Sequence, residues 1–236
     1  MKTVINDFTE QLKIGLGSNL LSVILYGSVV SGEYAKLYSD ANLLIVLEKT
    51  DLNILDIAAS IKKKTKFKRI NLLIFTLECL KGSTDTFPME FLDIKDRYEV
   101  LYGEDYFAGM KIGLLNLRHQ CEWELKSKIL QMQKFYISFR GKDKALAEFL
   151  IKHMPSFMVI FRNTLRLKNI STTDNLEVLN RICQEFDLGK DFLYNLWQAR
   201  ISNSKINNPR QAFKELLSIL EILSGAVDSL PVKADD

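Results

Sequence analysis

Cysteine is scarce. The three thiols, Cys79, Cys121 and Cys183, are odd in number and lie far apart without metal-ligand spacing, which excludes a disulfide framework and a zinc-ribbon type of site. They read as reduced core thiols in a cytoplasmic protein. Charge of one sign is also scarce: a formal net charge of +3 is too small to argue for nucleic acid as a partner. No apolar run approaches the length needed to cross a bilayer. Residues 1–10 mix Lys2, Asp7 and Glu10 among apolar side chains, unlike a secretion signal. There is no internal repeat and no low-complexity tract.

What is present is an ordinary globular composition, 47% apolar and 26% charged over 236 residues, enough for one large or two modest cores. Signals for strand and helix alternate in the first half. Residues 4–16 place Ile5, Phe8, Leu12 and Ile14 at helical spacing, and 21–26 is a strand-length apolar run closed by Gly27. Residues 43–47 form a run too continuous to have one face in water, so it belongs mid-sheet. A helix is expected over 54–64 and a third strand over 70–75. "TFPMEFLDI" (86–94) supplies a fourth strand candidate, and "VLYGEDYF" (100–107) a last extended piece. Beyond Gly109 only helices are expected. Leu114, Leu117, Cys121, Leu125, Ile129, Met132 and Tyr136 mark one long amphipathic helix ended by Gly141. Further helices follow over 144–167, kinked or split at Pro155, then over 175–186, 190–201 and 209–227, the last with Pro209 in its first turn. The domains are therefore expected at 1–108 and 109–228, with a frayed tail at 229–236.

One stretch carries chemistry: "VILYGSVVSGEYAKLYSDANLLIVL", residues 23–47. A strand leads through Gly27 and Ser28 and a polar excursion to Asp40, which enters a second strand. Gly27 lets a ligand approach the backbone closely. Ser28 would open a short helix whose hydroxyl and free amides could hold phosphate oxygens. Residues 40 and 42 point to one sheet face, about 6.6 Å apart along the strand. Two carboxylates so placed could clamp Mg²⁺ against a nucleoside triphosphate.

The segment resembles the signature of the nucleotidyltransferase superfamily that includes DNA polymerase beta and kanamycin nucleotidyltransferase. That signature is an apolar strand, Gly-Ser, a spacer, then Asp-x-Asp or Asp-x-Glu on a strand; here it reads "LYGS" and "SDANLLIVL". The resemblance covers residues 1 to about 107. It implies an α+β fold, a mixed sheet with flanking helices followed by an all-helical C-terminal bundle on the substrate side. It further implies Mg²⁺-assisted transfer of a nucleoside monophosphate from a nucleoside triphosphate to a hydroxyl of a small-molecule or protein acceptor, with neither nucleic acid nor membrane as partner. A homodimer is left open.

The sequence departs from that signature in its metal ligands. Of three expected carboxylates, Asp40 matches the first, Asn42 stands at the second and Asn71, in "RINLLIF", at the third. A neutral amide oxygen can ligate a dication but cancels none of its charge. The clamp is degenerate, and activity is expected to be weak or lost. The alternative is a non-catalytic scaffold that binds a nucleotide or a protein. Glu90 could restore an acid if its strand faces the pocket, with Met89 and Phe91 turned away. The preferred reading is an edge-strand or rim carboxylate tied to Lys95 or Arg97. Asp85 and Asp93 are weaker candidates, a turn residue and a surface acid.

The remaining polar features have plainer readings. The basic run 62–69, "KKKTKFKR", ends one helix and starts the next strand, and reads as solvated surface. Arg162 and Asn163 are similar to the start of a ribonuclease motif of the HEPN type, but Asn169 stands where its histidine is needed. Arg118, Glu122, Arg162 and Arg166 either line a cleft or pair between helices, the second being preferred. His119 and His153 read as helix-surface or core residues, and Trp123 and Trp197 as core.

Overall fold

The computed structural model describes residues 2–27, 29–30, 41–65, 69–140 and 142–231, with Lys190 by its backbone alone. Ser28, Asp40, residues 66–68 of the basic run, Gly141 and residues 232–236 of the tail lie outside the described residues. The chain divides into two compact units, Met1–Ile112 and Gly113–Asp236.

In the first unit, α1 (Lys2–Leu16) buries Ile5, Phe8, Leu12 and Leu16, one stripe at three- and four-residue steps. Ile14 falls off that stripe and is 76% exposed, so it is not part of the face expected from its neighbours. Strand β1 (Leu20–Tyr26) runs antiparallel to β2 (Ala41–Leu47). Helix α2 (Leu52–Lys64) crosses over to β3 (Ile70–Thr76), which pairs with β2 in parallel. The Asp51 side chain caps α2 by accepting from the Ile54 amide at 2.9 Å. The sheet order is β3-β2-β1-β4, with β4 (Tyr98–Gly103) antiparallel to β1. One face packs Val23, Leu25, Leu43 and Ile45 with α1 and with Ile54 and Ile61 of α2. The other packs Ile24, Leu44 and Val46 with Leu80, Phe91, Ile94 and Phe107. Burial on both faces is why β2 reads as a continuous apolar run.

Two expectations fail between the third and last strands. Leu77–Lys81 forms a short helix, α3, that sequence did not signal, and residues 88–96 form a helix, α4 (Pro88–Asp96), in place of the expected strand. Phe87, Phe91 and Ile94 lie at helical steps, and Pro88 occupies the first helical turn, where its missing N–H leaves no bond unmade. The extended piece also stops early: beyond Gly103 the chain turns, with Asp105 Oδ1 accepting from the amides of Phe107 and Ala108. Gly103 has φ +79°, and a Cβ there would lie 1.8 Å from the Leu21 carbonyl oxygen. Only glycine fits.

The second unit is helical throughout its regular structure. Helix α5 (Leu114–Phe139) is followed by α6 (Asp143–Arg166), α7 (Asn175–Glu185), α8 (Lys190–Ser202) and α9 (Pro209–Ser229). Leu117, Cys121, Leu125 and Met132 bury one side of α5, and Leu216, Leu220, Leu223 and Val227 that of α9. Asp174 and Asn208 cap α7 and α9 through the amides of Glu177 and Gln211. Pro155 does not split α6, which runs through it unbroken. Trp123 is not core but 64% exposed, and Cys79 is likewise exposed, whereas Cys121 and Cys183 are buried free thiols. No helix among the described residues is long and apolar enough to cross a membrane.

Candidate functional site

The antiparallel β1–β2 and β1–β4 pairings and the parallel β2–β3 pairing bring four strand termini to one end of the sheet. β1 finishes there, and β2, β3 and β4 begin. Asn71, Asn42, Tyr26 and Tyr98 are register partners in turn, one rung across all four strands. By strand alternation the rung shares the face of Ile24, Leu44, Leu73 and Val100, the side on which Phe91 and Ile94 of α4 pack. Gly27 follows Tyr26 with φ +82°, and a Cβ on it would meet the Asn42 side-chain nitrogen at 3.2 Å. Its amide donates to the Arg97 carbonyl at 3.0 Å, and its carbonyl accepts from Val30 at 3.0 Å. The Ala41 amide donates to the Arg69 carbonyl at 2.8 Å. An arginine thus precedes each edge strand at this end.

Gly27, Asn42 and Asn71 are brought together; Ser28 and Asp40 lie outside the described residues. The Asn71 Nδ2 donates to Asn42 Oδ1 at 3.2 Å, so the two amides are bonded to each other across the β2–β3 step. Mg²⁺ coordination calls for anionic oxygens. Among the described residues no group of three His, Cys, Asp or Glu side chains is placed to hold a metal ion. Two neutral amides bonded to one another do not fit a two-dication clamp beside a triphosphate.

Glu90 is placed by a helix, not a strand. It lies in the first turn of α4, exposed, while its neighbours Met89 and Phe91 are buried. Packing of α4 on the rung's face sets its charge near Tyr26. Burial, and then the Glu90 carboxylate, push the Tyr26 phenol above its ordinary range. Sequence reasoning missed Tyr26, although its place two residues beyond Ile24 on the same strand face was available. It missed Arg69 too, two residues before Asn71 and of the same alternation parity.

The other candidates take structural roles. Asp85 accepts from its neighbour Thr86, and Lys95 Nζ donates to the Met110 carbonyl at 2.6 Å. In the helical unit Arg118 and Lys126 flank Glu122 at one-turn spacings along α5, at 3.7 and 2.5 Å, ion pairs within one helix, and Arg118 also donates between helices to the Asp228 carbonyl of α9 at 3.4 Å. Arg162 donates to Asn175 Oδ1 at 3.3 Å, and Arg166 donates to Asn163 Oδ1. His153 stacks on Phe149 and contacts its carbonyl, a packing role.

No family model matches the chain, and no curated protein matches its sequence. Among solved structures it is similar to spectinomycin adenyltransferase AAD(9) from Enterococcus faecialis, determined with ATP and spectinomycin. The TM-score is 0.58 at 16% identity, over 94% of this chain and 99% of that one. At that identity the likeness speaks to architecture: a mixed four-stranded sheet with flanking helices and a helical C-terminal region, the fold of a nucleotidyltransferase.

Proposed function

We propose that the chain binds a nucleoside triphosphate at the Gly27 end of its sheet, and that nucleotidyl transfer from it is weak or lost. In this reading Gly27 and Ser28 receive phosphate oxygens, Asp40 is the one acid retained in the metal-binding set, and Asn42 and Asn71 are neutral donors in the other two places. The observation that carries the reading is the Asn42–Asn71 amide pair, which occupies adjoining strand positions with no formal charge. ATP is the first nucleotide to test, because the Enterococcus faecialis protein of this fold was determined with it. The acceptor class of the ancestral reaction is a hydroxyl compound. A second reading, residual catalysis with Glu90 as the replacement acid, is favoured by the placement of that carboxylate beside Tyr26.

The experiment is calorimetric titration of ATP and GTP with and without Mg²⁺, paired with a pyrophosphate-release assay. Nucleotide binding without pyrophosphate release is the expected result. Mg²⁺-dependent release that disappears in Asp40→Ala, and in Glu90→Gln, would establish the second reading. Absence of any nucleotide binding would defeat both and leave a scaffold for a protein partner.

A further inference from the structure

We propose that the groove between α5 and α9 binds a small amphipathic carboxylate, its apolar chain or ring lying in the groove and its anionic head at Lys214. Every residue concerned belongs to the helical unit, so the site is independent of the nucleotide-binding reading.

The groove has a volume of about 570 Å³, within the range of cavities that take small organic ligands, about 300–1,000 Å³. Each wall is one helix face. Tyr136 and Ile137 come from the last turn of α5, and Phe213, Lys214 and Leu217 from the first half of α9, at three- and four-residue steps. Aromatic packing builds the floor. The Phe213 ring is buried against Tyr136 and Phe149, with centroids 5.8 and 5.7 Å away. Ile137 falls outside the buried stripe of α5 and is 75% exposed. Tyr136 and Phe139 are exposed as well, so three large apolar side chains meet water within one turn. Exposed apolar residues scattered singly need no explanation, but a cluster beside a groove marks a contact surface.

Charge sets the sign of the ligand. Among the described residues lining the groove none is acidic. Lys214 is exposed and has no hydrogen-bond or ion-pair partner among the described residues. Arg210 lines the same rim but is already engaged, which leaves Lys214 as the anchor. The next residue, Glu215, lines a cavity on the other flank of α9 and accepts from Gln211 Nε2 at 2.8 Å. A carboxylate at Lys214 gains a charged hydrogen bond while its apolar body covers Tyr136, Ile137 and Leu217. A cationic head of the same length gains the apolar burial alone and is repelled by the ammonium. Size selects a small molecule. Eight described residues line the groove, against about 20–30 on each side of a standard protein interface.

The test is calorimetric titration of dodecanoate into the full-length protein, with dodecyltrimethylammonium as the cation of equal chain length, both below their micellar concentrations. The variants are Ile137→Ser, Lys214→Met and Lys214→Glu, all at exposed positions, with circular dichroism and thermal melting as folding controls. The wild type is expected to bind dodecanoate about tenfold or more tightly than the ammonium. Ile137→Ser is expected to weaken dodecanoate about tenfold, through lost apolar contact. Lys214→Met is expected to narrow the preference for the anion, and Lys214→Glu to reverse it. No binding of dodecanoate, or equal affinity for the two head groups, overturns the proposal. So does unchanged affinity in folded Ile137→Ser or Lys214→Glu, which puts the ligand elsewhere. A dimer in sedimentation that Ile137→Ser converts to monomer overturns it too, because a second copy then covers the groove. The nucleotide-binding reading stands or falls separately, on the titrations with ATP.

Discussion

Replacing both rung amides at once, Asn42→Asp with Asn71→Asp, asks whether these positions form a latent cation site. The donor and acceptor atoms are 3.2 Å apart, so two ionised carboxylates built there would have charge centres about 4 Å apart. Coulomb repulsion at that separation is about 1 kcal/mol in water and about 4 kcal/mol at an effective dielectric of 20. Asn71 is exposed and Asn42 half-buried, so the lower part of that range applies, about 1–2 kcal/mol. For a unit of this size that corresponds to a fall in melting temperature of roughly 4–8 °C per kcal/mol. The single Asn42→Asp change should cost little, because the new carboxylate still accepts from Asn71.

The pH dependence of the double variant has a definite sign. Two carboxylates sharing one place raise the value at which one of them ionises. Below the ordinary carboxylate range, about 4, both are protonated and no repulsion exists. As pH rises, the unfolded chain ionises first and the folded chain lags, so stability is lost until pH passes the raised value. A dication binding only the folded state returns that stability by mass action. Thermal melts in EDTA and in Mg²⁺, at acid and at neutral pH, measure all of this. If the double variant melts like the wild type at neutral pH and ignores Mg²⁺, the two side chains do not face one another as the register requires.

Two further outcomes test the packing around the site and in the helical unit. The Tyr26 phenol is held above its ordinary value of 10.0 by burial and then by Glu90. The unfolded chain gives up that proton near pH 10 while the folded chain keeps it, so the associated stability is intact below that pH and lost as pH rises toward the folded value. Glu90→Gln should shift the Tyr26 titration downward, read as the difference in phenolate absorbance against a Tyr26→Phe background; an unmoved titration would put Glu90 away from the rung. Pro155 stands exposed inside the unbroken helix α6, where it withholds one backbone donor. Pro155→Ala should stabilise the helical unit by about 1–3 kcal/mol in urea unfolding, and a lowered midpoint would show that the ring is needed where it packs.

Most of the elements were legible because their signals agree at several levels. The run at residues 43–47 is apolar at every position and takes an interior place in the sheet. Asp51, Asp174 and Asn208 each stand before a helix and cap it. The failure at residues 86–94 has an identifiable cause. Phe87, Met89 and Phe91 satisfy a strand period, while Phe87, Phe91 and Ile94 satisfy a helical one. The deciding residue was Pro88, which suits a first helical turn and could not serve an interior strand. Trp123 and Ile14 misled for a simpler reason: a large apolar side chain is not a burial signal when it falls off the stripe set by its neighbours.

The site was legible only in its parts. That Asn42 and Asn71 lie on strands follows from the apolar runs around them, but their pairing is a property of register, fixed by the α2 crossover that carries the chain from β2 to β3. Resemblance supplied the positions, and register supplied the contact between them. The same register explains why the two amides belong together. A carboxylate beside a single amide would still offer a metal one anion at the rung and would accept a hydrogen bond from the amide N–H. Two carboxylates would repel each other unless a cation sat between them. Two amides require no cation, because one donates to the other, and the rung is electrically complete within the protein.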